Sequence, residues 1–172
     1  MSLYELGEMS SLTEVLFIER CLNLLSPGGR MGIVLPEGVL NNTQLQRVRD
    51  YVEGKAKIIN ITSIPQDVFI ASGATVKPSL LFFKKFTDEE AKKYNKIKTE
   101  ATNTANEKHK AELTELETEI KVRGLSKEEK KEHKDKYNQI LQLIVDEIKL
   151  EVKTKFDYEI PIVEVEKAGI ST

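Results

Sequence analysis

Apolar residues recur at three- and four-residue spacing from Leu12 through Val15, Leu16, Ile18 and Leu22 to Leu25, which predicts a helix with one buried face. In front of it, Ser11-Leu12-Thr13-Glu14 reads as a capping box, with the Ser side chain accepting from an early backbone N–H and Glu14 reaching back. Ser26-Pro27-Gly28-Gly29 stops the helix, because Pro cannot continue the ladder and Gly accepts positive φ. Residues 31–35 are apolar without alternation, the pattern of a short strand covered on both faces. After a break at Pro36-Glu37-Gly38, Asn41-Asn42-Thr43 offers caps for a second helix with Leu45, Val48 and Val52 inward and Gly54 at its close. Residues 57–64 are β-branched and read as a second strand, and 75–85 as a third. Pro78 lies inside the third run and lacks a backbone donor, so that strand is expected at a sheet edge or with a bulge near Pro78. The last two strands can pair antiparallel through residues 65–74.

From Thr87 the pattern changes. Thr87-Asp88-Glu89-Glu90 reads as a second capping box, and it opens a polar tract without Pro or Gly until Gly124. Within this tract Tyr94, Ile97, Ala101, Ala105, His109, Leu113, Leu116 and Ile120 form one narrow stripe. Arg123-Gly124-Leu125-Ser126 reads as a turn and Ser126-Lys127-Glu128-Glu129 as a third capping box. His133, Tyr137, Ile140, Ile144, Ile148 and Val152 form the second stripe. Two stripes joined by a short turn bury each other by folding into a long antiparallel helical hairpin. Residues 157–166 return to extended character, with Pro161 among them.

Composition narrows the chemistry. The 172 residues carry a formal net charge of −2, so there is no global basic field, and any nucleic-acid partner must be met by a local patch. The single cysteine, Cys21, sits in an apolar helical pattern and reads as a buried small hydrophobe, compatible with a reducing cytoplasm. With no apolar run of membrane-spanning length, the expectation is a cytoplasmic protein without a membrane partner. CxxC, HExxH, P-loop and strand-following GxGxxG motifs are absent, so no metal site is read here. His109 and His133 fall on the hairpin stripes and are expected to pack in its seam or at its rim. The run 127–134 alternates lysines with acids, as a solvated helix face does.

Three stretches point further: Glu5-Leu6-Gly7-Glu8-Met9-Ser10-Ser11, the continuous run 17–42 with Ser26-Pro27-Gly28-Gly29-Arg30 and Leu35-Pro36-Glu37-Gly38-Val39-Leu40-Asn41-Asn42, and the run 63–85. That last run holds Pro65-Gln66-Asp67-Val68-Phe69 and Ser72-Gly73-Ala74-Thr75-Val76-Lys77-Pro78-Ser79-Leu80-Leu81-Phe82-Phe83. In that order they closely resemble the modification subunit of type I restriction-modification systems, a family of S-adenosylmethionine-dependent N6-adenine DNA methyltransferases. The resemblance covers residues 5–86, and weakly 157–172. It implies an α/β fold: the C-terminal part of a Rossmann-like methyltransferase sheet with an antiparallel β-hairpin, to which the helical hairpin is added. The expected division is 4–86 for the methyltransferase portion, 87–156 for a helical insertion and 157–172 for a return to the sheet.

The family's Asn-Pro-Pro-Phe-type catalytic loop and its cofactor glycine loop lie upstream of the matching region, and neither occurs in this sequence. The resemblance therefore implies a piece with no catalytic or cofactor-binding residue of its own, inactive alone, with S-adenosylmethionine bound only by the full-length protein. One role carries over. The family stacks an aromatic from the loop before the last strand on an adenine flipped out of the duplex, and Phe69 matches that position. Gly73, Thr75 and Lys77 would line the DNA approach, with Lys84 and Lys85 as further phosphate contacts. Phe69 packed as core, and the lysines as ordinary solvated side chains, stay open as alternatives. Implied partners are DNA and the specificity and restriction subunits of a type I complex, with the hairpin as a contact or an inert spacer. Self-association is expected from the open edge of a truncated parallel sheet. Two rival readings remain: a helical interaction module on a small α/β platform, and a methyltransferase of the same fold acting on a small molecule.

Overall fold

The computed structural model describes residues 4–8, 12–73, 75–122 and 125–168. The chain divides into two compact units, one built from residues up to Ala91 and from Glu159 onward, the other from Lys92–Tyr158. The fold is α/β: a four-stranded sheet with its helices, together with a long helical pair.

In the first unit, helix α1 (Thr13–Leu24) starts at an N-cap, Leu12, that makes no side-chain cap bond. The expected cap, Ser11, lies outside the described residues. After the turn, in which Gly28 takes φ 77, strand β1 (Arg30–Pro36) begins. The single helix expected next is three pieces: α2 (Glu37–Asn41), a 3-10 turn (Thr43–Leu45) and α3 (Gln46–Glu53). Asn42 causes the break, because its Oδ1 accepts from Gln44 N–H at 2.9 Å and diverts the backbone from the helical ladder. Strands β2 (Ala56–Ser63) and β3 (Pro78–Lys85) follow, and β4 (Ile162–Glu164) comes from the chain's return.

The sheet order is β1-β3-β2-β4, with β3 antiparallel to both of its neighbours and β4 parallel to β2. This corrects two expectations. β3 is central rather than an edge strand, and the irregularity lies in β2 between Ile58 and Asn60, not at Pro78. Pro78 is tolerated because it is the first residue of its strand, where no ladder donor is needed, and its carbonyl still accepts from Ile64 N–H at 3.2 Å. The sheet is also not a parallel one, since only the short β2–β4 pairing is parallel.

One face of this sheet is covered. Leu6, Val15, Ile18 and Leu22 meet Leu35, Val39, Val48, Tyr51, Val52, Ala56, Leu81 and Phe83 in a single apolar cluster. On the other face Val34 and Phe82 are exposed, so β1 is covered on one side and not on both. Cys21 is half-buried rather than buried, because it lies with exposed Phe17 and Leu24 on the outer flank of α1.

Helix α4 (Asp88–Ile120) opens on the capping box read from the sequence: Glu90 N–H donates to Thr87 Oγ1 at 3.2 Å and Thr87 N–H donates to Glu90 Oε2 at 3.0 Å. The same carboxylate meets Lys57 at 2.8 Å and Lys84 at 3.4 Å. The Lys57 hydrogen bond first, then the Thr87 backbone bond, hold its pKa down from 4.5 to about 2. A depressed carboxylate stabilises the fold above its unfolded value, and the contribution is lost as pH falls from about 5 through about 2. After discounting for solvent screening, Glu90→Gln should cost about 1–2 kcal/mol at neutral pH and nearly nothing near pH 2, checked by urea denaturation across that range.

In the second unit, α4 runs about 50 Å at 1.5 Å per residue and faces α5 (Lys127–Lys155). The seam follows the two stripes: Ala105, Leu116, Ile140 and Ile144 are buried with Leu113, Tyr137 and Ile148 against them. Ser126 and Glu129 form the capping box of α5. Residues Arg123 and Gly124 of the expected turn lie outside the described residues. Polar groups cross the seam antiparallel: Lys108 Nζ to Glu147 at 2.6 Å, His109 Nε2 to Glu147 at 3.3 Å, and Tyr137 Oη donating to Glu117 at 3.0 Å. His133 Nδ1 lies 2.8 Å from Glu119, a close approach without hydrogen-bond alignment. Both histidines thus sit on the seam, each facing a glutamate of the other helix.

Candidate functional site

The pairing register gathers three loops at one end of the sheet. Pro36 at the carboxyl end of β1 stands opposite Pro78, and Ser63 at the carboxyl end of β2 stands opposite Ser79. In open α/β sheets, ligands bind beyond the carboxyl ends of the strands that run in a common direction, here β1, β2 and β4. The connector between β2 and β3 rises at this end as a 3-10 turn, Gln66–Ser72.

Local chemistry shapes that turn. Pro65 precedes it with φ −55, and Val68 N–H donates back to the Pro65 carbonyl. Gly73 closes it at φ 80, where a side chain would be strained, and donates to the Ile70 carbonyl at 2.9 Å. The side-chain amide of Gln66 donates to the Thr75 carbonyl and ties the two ends of the connector together. Within this frame Phe69 is half-buried, Ile70 is 59% exposed, and Gly73, Thr75 and Val76 are exposed. Among the described residues, apart from Gly73 itself and its chain neighbours, no heavy atom stands within 4 Å of where a Cβ on Gly73 would lie, so the turn has room there.

Lys77 comes to the same end. Its carbonyl accepts from Glu37 N–H at 2.9 Å and its ammonium meets the Glu37 carboxylate at 3.6 Å. Glu37 is a site neighbour that sequence reading missed; its signal was the Pro36-Glu37 break at the strand end. Lys84 and Lys85 are elsewhere. They close β3 at its far end, about 20 Å away at 3.3 Å per residue. Lys85 donates to the carbonyls of Leu22 at 2.9 Å and Leu25 at 2.7 Å, capping the C-terminus of α1. Lys84 pairs with Glu90. Phe69, Gly73, Thr75 and Lys77 thus all lie on the β2–β3 connector at one end of the sheet, and Lys84 and Lys85 lie at the other. Among the described residues no group of three metal-ligating side chains is found.

The sequence matches the model of the N-6 DNA methylase family over residues 6–160. A curated relative, the defence against restriction protein B of Escherichia phage P1, is 24% identical over 90 residues, which are 52% of this chain and 4% of that protein. Among solved structures, the M protein of the type I restriction enzyme EcoKI is 29% identical over 47% of this chain and 17% of its own, with a TM-score of 0.42. A structure of type I restriction-modification complex assembly is 32% identical over 44% of this chain and 16% of its own, with a TM-score of 0.40. A type I modification subunit from Vibrio vulnificus is 27% identical over 46% of this chain and 18% of its own, again at 0.40. The chain spans less than a fifth of the length of each of these proteins. With its family match running from the first buried residue of the α/β unit, Leu6, to the chain's return at Ile160, the protein belongs to the N-6 DNA methylase family.

Proposed function

We propose that this chain supplies the target-base side of an S-adenosylmethionine-dependent N6-adenine DNA methyltransferase, as the C-terminal part of the methyltransferase domain of a type I modification subunit. The observation that carries the reading is the position of Phe69, on a surface turn at the carboxyl ends of β1 and β2 in a chain of the N-6 DNA methylase family. A half-buried ring on such a turn offers a π-face, and stacking on an extruded base is worth about 1–3 kcal/mol. Gly73 and Thr75 leave room for the strand beside it, and Lys77 is the cation at the same end.

The residues present do not fit the family's cofactor. A nucleoside cofactor is cradled by a glycine turn that leaves a strand and opens a helix. Among the described residues the positive-φ glycines are Gly28, which leads into β1, and Gly73, which follows the 3-10 turn. The chain also has no Asn-Pro-Pro-aromatic run to hold the adenine amino group. Methyl transfer by this chain alone is therefore not expected, and its catalytic and cofactor groups would come from another segment. The partners in this reading are DNA and the specificity and restriction subunits, and the setting is the cytoplasm. No helix of the described residues is long and apolar enough to cross a membrane. Exposed Leu141, Leu143, Val145 and Leu150 on α5 support the hairpin as a contact for a partner helix, the feature that favours the interaction-module reading as well.

Phe69→Ala should weaken binding of an adenine-containing single-stranded oligonucleotide about tenfold, measured by fluorescence anisotropy, with little change for the same strand carrying an abasic position. Equal affinity of wild type and variant for the adenine strand would remove Phe69 from the site.

A further inference from the structure

Glu37 and Lys77 meet at the end of the sheet that carries the Phe69 turn. In the sequence Lys77 is the one cation of the connector 65–77, and Glu37 the one charged residue between Pro36 and Leu45. Backbone bonds rather than their charges bring the two together. The pairing of Pro36 with Pro78 sets the end of β1 beside the start of β3, and Glu37 N–H donates to the Lys77 carbonyl at 2.9 Å. Arg49 fixes the other end of α2, donating to the carbonyls of Val39 at 3.1 Å and Asn42 at 2.8 Å. The Glu37 carboxylate is thereby held 3.6 Å from the Lys77 ammonium, with both side chains half-buried.

A pair of this kind is exchangeable. At 3.6 Å it is longer than the charge-assisted hydrogen bonds of about 2.7–2.9 Å, and water reaches both groups, so the attraction is weak. The lysine ammonium carries three donors on a flexible stem, so it can turn from a carboxylate to a phosphate without moving the backbone, which stays tied through Glu37 N–H. While the pair is closed, the charge of Lys77 is largely cancelled, and a strand that approaches the Phe69 turn meets little net positive field.

We propose that Glu37 is a positioning residue that holds Lys77 in reserve: its carboxylate pairs with the ammonium until a strand phosphate displaces it, so that the sugar-phosphate backbone alone holds a strand poorly. The proposal rests on the reading of this end of the sheet as the DNA side, and deepens it by giving Glu37 a part in specificity. Phosphate contacts carry no sequence information, so weakening them raises the share of binding that comes from a base stacked on Phe69.

The test is binding of the full chain to the adenine strand and to its abasic counterpart, followed by fluorescence anisotropy over a range of salt. Glu37→Gln keeps the backbone bond to the Lys77 carbonyl, so circular dichroism should not change. Its affinity for both strands should rise about threefold at low salt, and the slope of log affinity against log salt should steepen by up to about 0.7, the share of one phosphate on a single strand. Lys77→Gln should weaken both strands, and adding Glu37→Gln in that background should change nothing further. Asp67→Asn, the same change of charge on the connector, is the control for general repulsion; its effect should be smaller and should persist beside Lys77→Gln. A Glu37→Gln effect that is absent, that is no larger than that of Asp67→Asn, or that survives in the Lys77→Gln background overturns the proposal. If Phe69→Ala separates the two strands while Glu37→Gln changes neither, the proposal falls and the DNA-side reading stands. If Glu37 and Lys77 are coupled but Phe69→Ala is silent, the stacking role falls and the pairing role stands. A wild-type chain that binds neither strand overturns both.

Discussion

Phe83→Ala lowers the stability of the α/β unit by about 4 kcal/mol, the largest effect expected of a single truncation in this chain. Phe83 is 0% exposed and sits on β3, between β1 and β2, opposite Met31 of β1 and Ile58 of β2. Its ring belongs to the cluster that joins α1 to the sheet through Val15, Ile18 and Leu22. Removing it leaves a void bounded by strands on both sides, which cannot close inward without breaking two ladders. The neighbouring Phe82→Ala is the control. Its ring lies on the open face and is exposed, so the same truncation should cost about 1 kcal/mol. Urea denaturation of the two variants checks the pair. Equal costs would mean that the covered and open faces of the sheet have been assigned wrongly.

Glu19→Ala should cost about 3 kcal/mol, close behind. Glu19 is 4% exposed and lies among the inward apolar residues of α1, where a carboxylate would ordinarily be a defect. Its two oxygens accept from Leu6 N–H at 2.7 Å and Glu5 N–H at 2.9 Å, so an acceptor-only group meets two donors. Those bonds hold the 3-10 turn Leu6–Glu8 on the helix and seat Leu6, which is 0% exposed, in the core. Alanine leaves the buried Leu6 N–H without an acceptor and loosens the segment. Glu19→Gln keeps one acceptor and should cost about 1 kcal/mol. Amide exchange at Leu6 separates this account from simple loss of packing: it should accelerate strongly in the alanine variant and only weakly in the glutamine one. Unchanged exchange in both would show that Glu19 does not anchor the N-terminal turn.

The helices, the strands and the seam of the hairpin were legible because their signals are local. Thr87 with Glu90, and Ser126 with Glu129, satisfy each other within one turn, so a four-residue spacing is enough to read them. The stripe from Ile97 to Leu116 and its partner from Tyr137 to Ile148 needed only each other, and a short connection leaves an antiparallel pair as the way to meet. The connector holding Phe69, Gly73, Thr75 and Lys77 was likewise visible as a break between two strands, and its residues do share one end of the sheet.

Non-local partners were not legible. Pro78 argued for an edge or a bulge because its missing donor is a property of the residue, but whether a donor is needed there depends on where the ladder begins, which the pairing with Pro36 decides. Nothing local marks Glu19, because the backbone N–H groups of Glu5 and Leu6 that it accepts from reach it only in the fold. For Lys85 the sequence left a phosphate contact and an ordinary solvated lysine both open, and only the fold shows its ammonium donating to the Leu22 and Leu25 carbonyls where α1 ends. The apolar run of β1 announced a strand, yet the number of covered faces depends on which helices pack where. Periodicity, caps and turn residues, which act over three to seven positions, thus determined the elements and the location of the candidate site. Strand order, the buried face and the pairing of each charge were settled only in three dimensions, because each depends on groups far apart in the chain and close together only after it folds.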